Sequence, residues 1–194
     1  MKNIVFLFSL SCVSTSKVET GEALEYPQLE DNSQIVIETT MGAFTIELDF
    51  DNAPVTASNF MAYVDSGFYD GSDGLESTIF HRIISDFMIQ GGGETSAGML
   101  KETFDPIVNE ANNGLSNLRG TVAMARTNAP DSATSQFFVN VVDNTFLDFN
   151  ESSAGYAVFA SVVDGMDVVD FIASVQTNSS DKPTEDIIIE SVGP

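Results

Sequence analysis

Two segments near residue 40 carry the alternation of half-buried strands. Gln34-Ile-Val-Ile-Glu-Thr39 and Phe44-Thr-Ile-Glu-Leu48 are rich in β-branched residues, and Thr40-Met41-Gly42 between them predicts a hairpin. The period then changes. Pro54 opens a predicted helix that runs through Asp65, with Val55, Phe60, Met61 and Val64 at helical spacing and Gly67 beyond it as a stop. Short apolar runs separated by Gly turns fill the middle of the chain. Two of them, Phe80-His-Arg-Ile-Ile and Phe87-Met-Ile-Gln-Gly-Gly-Gly93, flank a turn at Ser85-Asp86. A second helix is predicted over 166–175, with Val168, Val169 and Ile172 turned inward. Glu185-Asp-Ile-Ile-Ile-Glu-Ser-Val192 closes the chain as a strand. Many short strands with two helices predict a mainly β fold, a closed barrel with helices over its ends.

The first 32 residues differ from the rest. Lys2 precedes the short apolar run Ile4-Val-Phe-Leu-Phe-Ser-Leu10, so residues 1–16 read as an export signal, too short to span a bilayer as a helix. The single Cys follows as Leu10-Ser11-Cys12. This resembles a bacterial lipoprotein signal, in which the Cys is lipidated. Ser9 departs from that pattern, which has Leu, Val or Ile there, and an ordinary secreted form is the other reading. Both place the protein in the periplasm or cell envelope, either soluble or tethered to a membrane through Cys12. Residues 17–32 are polar and acidic and read as a flexible linker. Residues 33–194 form one domain of a size that can bury a substantial core.

Charge narrows the partners. The chain has 29 acidic and seven basic residues, a net charge of −22. Nucleic acid and anionic membrane surfaces both require a basic face, so neither is an expected partner. The acids are scattered rather than blocked, as suits a solvated surface. One Cys and one His, His81, exclude an internal disulfide and a Cys/His zinc cluster. Asp70-Gly-Ser-Asp73-Gly74 lacks the alternating acids of a calcium loop and reads as a polar turn.

The unusual residues lie in the middle of the chain. Arg82 is one of three Arg, yet it sits among Phe80, Ile83, Ile84, Phe87 and Met88. Such a cation serves either to guard a phosphate or carboxylate, or to form a structural ion pair with one of the many acids. Gln90 is the second polar residue in these runs. Further on, Gly120-Thr-Val-Ala-Met-Ala-Arg126 precedes Ser135-Gln-Phe-Phe-Val-Asn140, which sets an amide beside paired aromatics.

Taken together, Phe80-His-Arg-Ile-Ile, Phe87-Met-Ile-Gln-Gly-Gly and Ser135-Gln-Phe-Phe138 resemble the central signatures of the cyclophilins, in the family's order. Phe68-Tyr-Asp-Gly, Met124-Ala-Arg-Thr127, Asp148-Phe149 and Tyr156-Ala-Val-Phe159 resemble its bacterial branch. The resemblance spans 34–192. It implies a closed eight-stranded antiparallel barrel capped by two α-helices, and peptidyl-prolyl cis–trans isomerase activity without metal or cofactor. It implies that Arg82 is the catalytic donor and that Gln90 helps hold it and the substrate carbonyl. Phe87, Met88, Phe138 and Leu147 match the proline slot, and Ala125 and Arg126 the edge where substrate backbone pairs. Gln136 matches a contact to neighbouring substrate residues, and Phe146 and Tyr156 are rim positions. His81 and Phe137 point to the other strand face and are expected to be structural. Proline-containing unfolded or flexible polypeptides are the expected partners, and a monomer the expected state.

The chain departs from the family in two places. Ser85-Asp86 replaces a Pro-Gly turn, which would put the Asp86 charge near Arg82, and residues 71–77 form a longer loop. A hydrolase is disfavoured: Gly93-Glu-Thr-Ser96-Ala-Gly98 lacks the Gly of a nucleophile elbow, and Gly91-Gly-Gly93 lacks the third Gly of a dinucleotide fingerprint and reads as a bend. A cyclophilin-fold binding module without turnover is the rival reading.

Overall fold

The computed structural model describes residues 33–194. The expected signal, linker and Cys12 lie outside the described residues. The strands are β1 (Gln34–Thr39), β2 (Gly42–Leu48), β3 (Thr78–Ile84), β4 (Met88–Thr95), β5 (Thr121–Met124), β6 (Phe137–Asn140), β7 (Val158–Asp164) and β8 (Ile189–Gly193). The helices are α1 (Pro54–Asp65) and α2 (Met166–Ala173), and a 3-10 turn covers Thr145–Leu147.

All strand pairs are antiparallel, in the order β3-β4-β6-β5-β7-β2-β1-β8. The two edges meet at the bridge Ile79–Ile188, and the Phe80 N–H donates to the Ile187 carbonyl at 2.9 Å. The barrel is therefore nearly closed, which leaves little strand edge unpaired. Strand alternation fills its interior: Ile35, Ile37, Phe44, Ile46, Ile89, Phe137, Val139 and Phe159 are all buried in one cluster.

Both predicted helices form, with adjustments. Pro54 stands in the first turn of α1, as its fixed φ favours. No side chain at Ala53 caps that end. Glu110 does so from far along the chain: its carboxylate accepts from the N–H groups of Val55 (3.1 Å) and Thr56 (2.8 Å) and from the Thr56 hydroxyl (2.6 Å). The fully buried residues of α1 are Thr56, Ala57, Phe60 and Tyr63, whereas Val55 is exposed. Of the residues expected inward, Phe60 is buried and Met61 and Val64 pack partly buried against the core; Val55 alone departs, and Thr56 is buried beside it with its polar groups satisfied. Helix α2 ends at Ala173, two residues early, and Val169 and Ile172 are buried as expected.

The last strand is shorter than the apolar run suggests. Residues 186–188 lie at the barrel seam, where the Thr40 N–H donates to Ile188 and the Phe80 N–H to Ile187. Serving two strands, this segment joins neither regularly, and β8 starts only at Ile189. The three glycines likewise stay within β4 instead of ending it. Gly92 has φ +81°, and a Cβ there would stand 2.9 Å from the rings of Phe137 and Tyr69. The glycines admit an aromatic cluster against the strand.

The long loop after α1 is fastened from inside. The Lys101 ammonium donates to the carbonyls of Phe68 (2.6 Å) and Glu76 (3.0 Å), pairs with Asp73 (2.8 Å) and lies over the Phe68 ring. Burial pushes the Asp73 carboxyl up, but the bonds from Lys101 and the Leu75 N–H outweigh it and lower the pKa.

Candidate active site

Strand register assembles the site. Arg82 on β3 stands opposite Gln90 on β4, Gln90 opposite Phe138 on β6, and Phe138 opposite Ala123 on β5. Directly paired residues share a face, so these four form one row across the outside of the barrel. Their chain neighbours Ile83, Ile89, Phe137 and Val122 point into the core. The alternation thus turns Phe137 inward and Phe138 outward.

Around this row lies a second apolar cluster, built on Met88, Ala123, Phe138 and Val158 and flanked by Phe87, Ala125, Leu147 and Tyr156. It encloses a hollow of about 150 Å³ bordered by Arg82, Phe87, Met88, Gln90, Ala125, Arg126, Phe138, Leu147 and Tyr156. The two other residues named from the sequence are adjacent. Gln136 accepts from the Gln90 amide at 2.9 Å, and the Phe146 ring stacks on Phe87 at 5.7 Å with a 24° interplanar angle. A larger hollow of about 490 Å³ over Leu48, Phe50 and Leu118 is bordered by no cation.

The polar side of the hollow is anchored piecewise. The Gln136 side chain lies where a Cβ on Gly93 would stand, 2.5 Å from Gln136 Cγ, so glycine at 93 makes room for the Gln136–Gln90 pair. Arg82 Nε stands 3.7 Å from Asp181 Oδ2, with both side chains a little under half exposed. Asp181 adopts φ +60° in a tight turn, where its N–H donates to the Asn178 carbonyl (3.0 Å) and its own carbonyl accepts from Ile83 (2.8 Å). Asp86, which sequence adjacency places near Arg82, instead borders a hollow with Arg119 and Asp170. Among the described residues the carboxylate paired with Arg82 is Asp181. His81 is half-buried, and its Nδ1 has no hydrogen-bond partner among the described residues; burial pulls its pKa below the ordinary histidine value.

Behind the apolar side runs a buried amide network. Asn144 Nδ2 donates to the Phe87 carbonyl (2.9 Å) and to Asn140 Oδ1 (2.8 Å); Asn140 Nδ2 donates to Thr121 Oγ1 (3.0 Å) and Asn117 Oδ1 (3.3 Å). Asp148 accepts from the Asn117 N–H (2.7 Å) and side chain (3.0 Å) and from the Ser116 hydroxyl. Burial raises the Asp148 pKa, but these hydrogen bonds prevail and hold it below the usual carboxylate value. The network joins the backbone of Phe87 to the turn that bears Phe146 and Leu147. The sequence reading missed Asn140, Asn144, Asn117 and Asp181 as parts of this surround. Asn140 had a signal, an amide at an outward strand position after Phe137-Phe-Val139.

At the far end, the Tyr156 ring meets Phe138 edge-on at 5.7 Å and carries the Arg126 guanidinium 4.5 Å above its centre. Arg126 Nε and Nη1 donate to the carbonyls of Gly155 (2.9 Å) and Thr127 (2.8 Å). The result is an apolar slot with a fixed cation and paired amides along one side and a second cation at its end.

Known proteins resemble this chain in sequence and in fold. The family model described as "Cyclophilin type peptidyl-prolyl cis-trans isomerase/CLD" matches residues 34–194. Peptidyl-prolyl cis-trans isomerase B of Escherichia coli (strain K12) is 54% identical over 165 residues, covering 81% of this chain and 97% of its own length. Peptidyl-prolyl cis-trans isomerase of Acinetobacter baylyi is 54% identical over 148 residues, 76% of either chain. A crystal structure of a Cryptosporidium parvum cyclophilin-type isomerase, obtained in the presence of the dipeptide Ala-Pro, aligns with a TM-score of 0.64 at 29% identity, covering 82% of this chain and 97% of that one. A match that runs the length of the described barrel, with relatives above half identity, shows that this chain belongs to the cyclophilin-type peptidyl-prolyl cis–trans isomerases.

Proposed function

We propose that the slot between Phe87, Met88, Phe138 and Leu147 receives a prolyl ring and that Arg82 drives rotation of the bond before it. The X–Pro bond resists rotation by about 18–20 kcal/mol because amide resonance must be broken. No bond forms or breaks, so catalysis consists of favouring the twisted imide over both planar forms. In the twisted form the prolyl nitrogen becomes pyramidal and gains a lone pair. A fixed donor aimed at that lone pair is worth more there than in either ground state. Arg82 suits the task because its guanidinium stays charged in apolar surroundings. Gln90, held by Gln136, supplies an amide on the same side for the substrate carbonyl. Ala125 and Arg126 offer backbone for pairing, and Phe146 and Tyr156 close the rim.

The observation that carries this reading is the row in which Arg82 and Gln90 stand directly beside the apolar slot. Exchange of an X–Pro peptide in the presence of the protein tests it. Wild type is expected to accelerate exchange clearly, and Arg82→Ala to lower kcat/KM by about two to three orders of magnitude while the protein stays folded. Wild type at background rate, yet still binding the peptide, replaces this reading with that of a binding module.

The setting is part of the proposal. The pattern of residues 1–16 supports export, and Leu10-Ser-Cys12 supports lipidation at Cys12. The substrates are then proline-containing, unfolded or flexible polypeptides of the periplasm or cell envelope, whose folding the enzyme assists, with the domain acting as a monomer.

A further inference from the structure

We infer that the slot prefers polypeptides with an acidic residue flanking the proline, and that Arg126 reads that acid; the inference rests on the slot being the substrate site. The domain carries 24 acidic and five basic residues, so nearly every cation has a carboxylate beside it. Lys101 pairs with Asp73, Arg119 with Asp170 and Lys182 with Glu94, each at 2.7–2.8 Å, and Arg82 with Asp181 at 3.7 Å. Arg126 alone among the described cations lies within 4.0 Å of no carboxylate, and it borders the slot. In a domain this acidic, that exception stands at the substrate groove.

The geometry of Arg126 matches its charge. Two of its nitrogens are spent on the carbonyls of Gly155 and Thr127, and its plane lies over the Tyr156 ring. Those contacts fix the guanidinium without neutralising it. The third nitrogen, Nη2, makes no hydrogen bond among the described residues and remains a charged donor at the end of the slot. Its complement is an acceptor-only anion, the carboxylate of a substrate Asp or Glu. A half-exposed pair of this kind is worth a few-fold in binding. The surrounding net charge opposes it at long range, but at about 0.15 M salt the screening length is about 8 Å, so the local pair outlasts the field.

The experiment compares peptides that carry Glu, Gln or Lys immediately before the proline, and a second set varied immediately after it. Exchange is followed by two-dimensional NMR, which needs no coupling protease. In wild type, at least one position is expected to show Glu exceeding Gln in kcat/KM by about two- to fivefold, with Lys below both. Arg126→Gln is expected to erase the Glu-to-Gln ratio, whatever happens to the overall rate, and Arg126→Lys to keep part of it. An unchanged ratio in Arg126→Gln, or no Glu preference in wild type, overturns the inference. Should Arg126→Gln fail to fold, the wild-type ratio is measured against ionic strength: a decline supports the pairing, and a constant ratio overturns it. Wild type inactive on every peptide sinks the reading of the slot itself, a different outcome from activity without preference.

Discussion

The role proposed for Arg82 requires it to be held as well as charged. Asp181 meets it at Nε, which leaves the two terminal nitrogens of the guanidinium for the slot. The turn that carries Asp181 is itself fixed, since its carbonyl accepts from Ile83, the residue next to Arg82. In the proposed mechanism Asp181 is thus a positioning residue. Asp181→Asn keeps the turn, because Asn tolerates the left-handed φ that Asp181 adopts. It is expected to lower kcat about two- to fivefold with little change in KM, the scale of a half-exposed ion pair. Stopped-flow or NMR exchange kinetics of the purified variant check this; equal or higher kcat refutes it. Arg82 was legible in the sequence because a lone cation in an apolar strand is conspicuous. Its partner was not. Adjacency suggested Asp86, but the hairpin carries Asp86 to the hollow of Arg119, and the true neighbour arrives from a polar turn almost a hundred residues on.

At the scale of elements, the slot wall is a short 3-10 turn with little apolar burial of its own; Phe146 is 67% exposed. The turn keeps its place through Asp148 and the Asn117–Asn140–Asn144 amides. The depressed Asp148 pKa gives this a pH signature. The folded state holds its carboxylate ionised below the usual range, so on acidification the unfolded chain takes up the proton first. The contribution of Asp148 is therefore complete above the ordinary carboxylate pKa of about 3.9 and is lost as pH falls through the depressed value. Asp148→Asn is expected to cost about 1–2 kcal/mol near neutrality, the value of one or two hydrogen bonds, and progressively less in acid. Urea midpoints of both proteins across the acid range test this; a constant difference contradicts it. The long elements were readable from their period: the first hairpin, both helices and the strands around Ser85-Asp86. The elements that misled owe their form to distant partners. Glu110 caps α1 from far along the chain, and the barrel seam shortened β8.

For the whole molecule, the signatures in the middle of the chain made the barrel legible, because register carries Arg82, Gln90 and Phe138 into one row however the loops vary. The charge is a different kind of property. Its total could be read from composition, but which cation lacks a carboxylate depends on folding. The lipid proposed at Cys12 belongs at this scale too, since it would tether the whole acidic domain. Cells given a labelled fatty acid are expected to label wild type and not Cys12→Ala; equal labelling removes the anchor from the proposal.

The Lys101 clasp has a consequence for where such a protein can work. Two carbonyl oxygens and a carboxylate converge on its ammonium, oxygen donors of the sort that surround a bound cation elsewhere. A loop closed by a diffusible ion opens when that ion becomes scarce, because occupancy follows free concentration. Here the ion is covalently part of the chain and cannot be diluted, exchanged or chelated away. The order of the loop is thereby uncoupled from the mineral composition of the surroundings.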